Sequence, residues 1–186
     1  MKLGVLRLRQ RDAVTCGPSV ALMAGALLDP RRHAALADPV SGAALFDAEQ
    51  RRVHADVNRI WPRRLGTTPW GVARALTAEG ATAGVWYRWR LFRGPLFWGR
   101  LFWGRRDSLS DVIAAARSGL PVAMLVGRVI PRHWVLIVDA SEETLRCYEP
   151  SSGEVRSVDV AAVRESRLTG LGFPRPFAFV LPYSNV

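Results

Sequence analysis

At 186 residues, 49% apolar and 23% charged, the chain has the size of one domain and can bury a core without disulfide staples, which excludes a disordered chain and a cysteine-rich scaffold. No stretch approaches the roughly 20 uninterrupted apolar residues of a membrane-spanning helix, and the run from Met1 to Asp12 lacks the apolar segment of a secretory signal, so a cytoplasmic protein is expected. The net charge of +10 comes from arginine, Lys2 being the sole lysine; such a charge attracts anionic partners, but no helix-turn-helix, RNA-binding aromatic pair or zinc-finger pattern accompanies it, so no specific nucleic-acid partner is expected.

Residues 3–9 alternate loosely, as a short strand or an extended arm leading to Gln10. From Gly17 to Leu28 the residues are small or apolar on every side, with Pro18 in the first turn, where its missing N–H has no helical partner to lose. A helix apolar all round is a buried helix, so Cys16 is predicted at the N-terminus of a central one, stopped by Asp29-Pro30. A second helix is predicted from about Ala44 to Ile60, with Leu45, Val53, Val57 and Ile60 on one face. Thr68 as N-cap, Pro69 in the first turn and Gly80 as the stop delimit a third. Ser108 and Asp111 resemble the start of a fourth, ending at Gly119.

Beyond that point the pattern changes to short apolar or alternating runs separated by turn residues, predicted as strands at 121–126, 134–139, 144–148, 155–160 and 177–181. Pro150-Ser-Ser-Gly153 reads as a tight turn joining two of them. Helices first and an antiparallel sheet after them make an α+β fold in one domain, 1–186, with a cleft between the layers separating Cys16 from His133.

Residues 86–106 fit neither period. Within them, 91–105 form three five-residue units, Leu-Phe-Arg-Gly-Pro and then Leu-Phe-Trp-Gly-Arg twice, preceded by Trp86, Tyr87, Arg88 and Trp89. The segment is read as a repeat insertion in a surface loop. Its functional alternatives are a flap that grips substrate, or a patch touching a membrane surface or an acidic protein, since Trp and Arg both suit an interface.

Four positions carry chemistry: Gln10, Cys16, His133 and Glu149. A thiol attacks a carbonyl as the thiolate, and a free cysteine near pKa 8.5 is mostly protonated at neutral pH. The N-terminus of a helix favours negative charge on Cys16, and a nearby His133 can take its proton to give a thiolate–imidazolium pair. His133 is the histidine at the start of a predicted buried strand; His33 and His54 stand in Arg-rich settings expected to be exposed. A third group is needed to hold the imidazole in one tautomer. Glu149 ends the strand expected to pair with that of His133, whereas Asp139 stands six residues along the His133 strand, ~20 Å away. Glu149 is therefore preferred and Asp139 read as a turn residue. Gln10 can offer its amide to the developing oxyanion beside the backbone N–H of Cys16. Cys147 alternates with its neighbours and reads as a small core residue. Neither cysteine has CxxC or histidine-spaced neighbours, so no zinc site is expected.

These residues resemble papain-like cysteine peptidases, and most closely the branch that removes double-glycine leaders from bacteriocins (cysteine peptidase family 39 and relatives). The matching pieces are Gln10 with Cys16-Gly17-Pro18, Gly119-Leu-Pro-Val before a strand, His133-Trp-Val-Leu-Ile-Val, and Tyr148-Glu149-Pro150 followed by Gly153, in order over most of 8–155. Thr67 to Gly80 resembles that group's Gly-Thr-x-Pro helix. The resemblance implies a helical lobe carrying Gln10 and Cys16, a sheet lobe carrying His133 and the orienting acid, and hydrolysis of a peptide or protein substrate without cofactor. Two departures stand out. The family usually has Asp where this chain has Glu149, and the transporter domains that often accompany the peptidase are absent, so a leader-cleaving exporter role does not follow. The same thiolate machinery also serves deamidation, isopeptide cleavage or acyl transfer, as in a toxin or effector. A non-catalytic binding module of the same fold is the remaining reading.

Overall fold

A computed structural model describes residues 7–92 and 109–183. In chain order these form helices α1 (Cys16–Leu28), α2 (Pro30–Ala37), α3 (Gly42–Val57) and α4 (Pro69–Gly80), strand β1 (Trp86–Leu91), helix α5 (Ser110–Arg117), strands β2 (Val122–Gly127), β3 (Pro131–Ala140), β4 (Thr144–Glu149) and β5 (Glu154–Asp159), helix α6 (Val160–Arg164) and strand β6 (Arg175–Tyr183). The fold is α+β. All strand pairs are antiparallel, in the order β1-β6-β2-β3-β4-β5.

The sheet carries apolar side chains on both faces because both are covered. Leu125, Trp134, Leu136, Tyr148 and Val180 face a core completed by α1, α3 and α4. Met124, Val126, Val135, Ile137, Cys147 and Phe179 face a second core with α5, α6 and the chain around Leu168 and Leu171. Every residue of β2 is buried, which explains its unbroken apolar run. The helix α1 is buried from Cys16 to Ala26, as a helix without a polar face must be. Side chains such as Leu22 and Met23 each contribute about 1.5–3 kcal/mol by leaving water. Gly17 lets α1 approach the chain before α4, since a Cβ there would lie 2.8 Å from Thr67 Cβ. Thr68 caps α4 by accepting from the Gly71 N–H at 3.2 Å.

The structure departs from the sequence expectation in several places. Asp29 ends α1 and also caps a further helix, α2, by accepting from the Arg31 N–H at 2.8 Å. The helix α3 stops at Val57, so Ile60 lies beyond it in solvent, and Leu45 is also exposed. Its buried face is Phe46, Gln50, Val53 and His54, and two of these are polar groups that an apolar period does not detect. His54 is therefore buried rather than exposed; burial holds its imidazole below the ordinary 6.5, against the pull of the Asp12 charge. Residues 86–91 form the edge strand β1, paired to β6 from Trp86↔Tyr183 to Leu91↔Ala178, rather than part of a loop insertion. Phe92 follows it into the core, edge-on to Phe179 with ring centroids 5.8 Å apart. The repeat from 93 onward, with Ser108, lies outside the described residues. Val160 opens α6 instead of ending a strand. The arm at Arg7–Gln10 lies against the β4–β5 turn without joining the sheet.

Candidate active site

Cys16 is the first residue of α1 and is 3% exposed. Thr15 precedes it without a side-chain cap, and no acidic residue occupies the first turn, so the positive end of the helix dipole is left to whatever sits at the N-terminus. The segment before it is a tight local knot. The Asp12 carboxylate accepts from the Val14 N–H at 3.0 Å, and Thr15 Oγ1 accepts from the Asp12 N–H at 3.2 Å.

His133 enters from β3, opposite Val126 of β2, and is buried. Its Nε2 lies 2.7 Å from Glu149 Oε1. The Leu136↔Tyr148 pairing of β3 with β4, continued by one step, puts Glu149 opposite Val135. His133 is the next residue along on the same face, within reach of a long side chain across the diagonal. Cys16 acts on the same imidazole and raises its pKa, and with Nε2 taken by Glu149 the nitrogen left to face sulfur is Nδ1. Burial disfavours charge on the ring, but the interactions with Cys16 and the Glu149 carboxylate outweigh it, so the His133 pKa is pushed up to about 9. The ring of Phe173 tilts over the imidazole with centroids 5.7 Å apart and helps to exclude water.

Glu149 is held from both sides. Its Oε1 accepts from the Ser151 N–H and its Oε2 from the Ser152 N–H, each at 2.9 Å. Burial would raise its pKa; the hydrogen bonds from His133 and from Ser151 and Ser152 win and keep the carboxyl well below the usual range. The turn 150–153 exists to make this possible, because it folds its own N–H groups back onto the carboxylate. Gly153 has φ +72°, and a Cβ there would meet Leu8 O at 2.9 Å, so glycine is needed both for the turn and for the arm that crosses it.

That arm delivers Gln10. The Tyr148 hydroxyl donates to Leu8 O at 2.7 Å, Arg9 Nε to Ser152 O at 3.0 Å, and the Gln10 N–H to Pro150 O at 2.7 Å. The Gln10 amide donates one proton to the Asp12 carbonyl at 2.8 Å, and its Oε1 is buried with no partner among the described residues. An amide nitrogen carries two protons, so one remains for another acceptor. Asp139 stands away from this assembly, exposed, 3.8 Å from Arg146 and bonded to the Ala140 N–H. Cys147 is fully buried on β4 and unpaired with Cys16; burial pushes its thiol up to about 12. The contacts of Phe173, Ser151 and Ser152 were not read from sequence; only the Ser-Ser-Gly turn hints at them.

Among the described residues no helix is long and apolar enough to cross a membrane, and no cluster of His, Cys, Asp and Glu is arranged to hold a metal ion. No protein-family model matches the chain, and no curated protein does. Among solved structures the chain is similar to the peptidase domain of Streptococcus ComA, a bifunctional ABC transporter involved in a quorum-sensing pathway. The identity is 13% and the TM-score 0.44, over 96% of this chain and 97% of that one.

Proposed function

We propose that the protein is a papain-like cysteine peptidase that cleaves peptide bonds through Cys16, with His133 as base and acid, Glu149 as orienting group and Gln10 in the oxyanion hole. The observation that carries this reading is one buried imidazole bonded to the Glu149 carboxylate at 2.7 Å, whose pKa Cys16 raises as well. A cysteine at a helix N-terminus and an imidazole kept protonated to about pH 9 favour a thiolate–imidazolium pair at neutral pH.

In this mechanism the Cys16 thiolate attacks the substrate carbonyl carbon, and the carbonyl oxygen takes the displaced electron pair. The Cys16 N–H and the remaining Gln10 amide proton stabilise that oxyanion. His133 gives its proton to the departing amine as the C–N bond breaks, which leaves a thioester on Cys16. The now neutral imidazole draws a proton from water, the hydroxide so formed displaces sulfur, and the pair is restored. Glu149 keeps its charge throughout and holds the ring with Nδ1 towards sulfur.

The test is incubation with fluorescently labelled casein, followed by sequencing of the new amino termini. New termini made by the wild type and absent with Cys16→Ala support peptide hydrolysis. Ammonia release without new termini would assign the same site to deamidation instead.

A further inference from the structure

Gln50 has no exposed surface, and both ends of its amide are bonded. Its Oε1 accepts from the Arg11 N–H and from the Ser19 hydroxyl, each at 2.9 Å, while its Nε2 donates to the Arg9 carbonyl at 3.2 Å. Arg9 and Arg11 flank Gln10. Ser19 lies in the first turn of α1, three residues after Cys16, and its single hydroxyl proton is shared between Gln50 Oε1 and Thr15 O, the latter at 2.8 Å. One side chain from α3 thus grips the backbone on either side of Gln10 and fastens it to the helix that carries the cysteine. From the opposite side the Gln10 N–H is bonded to Pro150 O beside Glu149.

A buried amide is costly unless each group is bonded, and an apolar residue of similar volume would fill the same space. What an apolar residue cannot do is offer an acceptor and a donor at one fork to two peptide groups two residues apart. We propose that Gln50 is a positioning residue for acyl transfer: it sets where the Gln10 amide stands relative to the Cys16 sulfur. The proposal rests on the peptidase reading above, in which Gln10 binds the oxyanion. Misplacing a reacting group by about 1 Å can cost on the order of a hundredfold in rate.

Two reagents acting on one sulfur separate positioning from general damage. Acylation of Cys16 by p-nitrophenyl acetate forms a thioester and releases p-nitrophenolate through a tetrahedral oxyanion. Alkylation by iodoacetamide displaces iodide at a saturated carbon and forms no oxyanion. In Gln50→Met, which conserves volume, the ratio of acylation to alkylation rate at Cys16 should fall about tenfold or more. Gln50→Glu retains the acceptor atom but sets a carboxylate oxygen against the Arg9 carbonyl; its ratio should fall severalfold, and it serves if Gln50→Met does not fold. In a Gln10→Ala background neither change should lower the ratio further. An unchanged ratio, two rates that fall together, or an equal loss without Gln10 would each overturn the proposal. Failure of the peptidase reading shows separately, as slow alkylation of wild-type Cys16 at pH 6.

Discussion

His133 Nε2 and Glu149 Oε1 lie 2.7 Å apart, joined diagonally across β3 and β4, and this bond decides which ring nitrogen is free for Cys16. The carboxylate is itself fixed by two backbone N–H groups of its own turn, so the imidazole is oriented by the sheet rather than by a mobile side chain. Glutamate suits this diagonal, because its extra methylene covers the additional offset.

Replacing Glu149 by Gln keeps the shape and removes the charge that holds His133 protonated. The rate should fall about tenfold, and the alkaline limb of the pH–rate profile should move down by roughly one unit or more from about 9. Glu149→Asp should cost a similar amount, because its carboxylate falls about 1.5 Å short. Asp139→Asn should stay within about twofold, since its carboxylate is exposed beside Arg146. A larger effect at Asp139 than at Glu149 would contradict this assignment.

The three proposed catalytic groups should show graded losses. Cys16→Ala should abolish turnover and His133→Ala should nearly do so. Gln10→Ala should lower the rate by about 10²–10³, the usual worth of one oxyanion donor, with the denaturant midpoint unchanged. Steady-state rates with the labelled casein, measured beside urea titrations of each variant, check this order.

Stability should depend on pH through the same pair. The His133 pKa is raised above its ordinary 6.5, so its contribution is fully present below 6.5 and is lost as pH rises through about 9. The Glu149 pKa is depressed, so its contribution is present above its ordinary 4.5 and is lost as pH falls below that value. The gap in urea midpoint between wild type and Glu149→Gln should therefore be widest from pH 4.5 to 6.5 and narrow on both sides. A gap independent of pH would show that the pair is not charged in the folded protein.

Much of this arrangement was legible in the sequence, for physical reasons that differ between elements. The helix α1 is apolar on every side, α4 has a capping Thr68 with Pro69, and β2 to β4 are short apolar runs between turn residues, so local chemistry and burial agree. A strand that begins near His133 and an adjacent one that ends at Glu149 then suggest a shared sheet end, which is where their side chains meet. The helix α3 misled because its buried face includes polar groups: Gln50 is bonded to backbone and His54 is buried as an imidazole, which periodicity of apolar residues does not register. The strand β1 was absorbed into the aromatic repeat because, as a charged edge strand, it buries little beyond Tyr87. The hydrogen bonds that place Gln10 join residues 8–10 to the 148–152 turn, a separation that no local pattern reveals.

The Gly153 position gives a test of the arm. Gly153→Ala should cost about 1–3 kcal/mol from the positive φ, and its Cβ would press on Leu8 O and loosen the segment that carries Gln10. Urea titration should show the loss in stability, and the acylation rate with p-nitrophenyl acetate should fall more than the alkylation rate. Equal losses in the two rates would mean that the arm does not rest on this turn.

The central claim is an activated Cys16 that depends on His133, and alkylation by iodoacetamide across pH, mapped by peptide mass, tests it most directly. Rapid modification of Cys16 at pH 6, lost in His133→Ala, with Cys147 untouched until the protein is unfolded, is the predicted result. Slow modification that rises only near the ordinary thiol pKa of about 8.5, alike in both proteins, would contradict it.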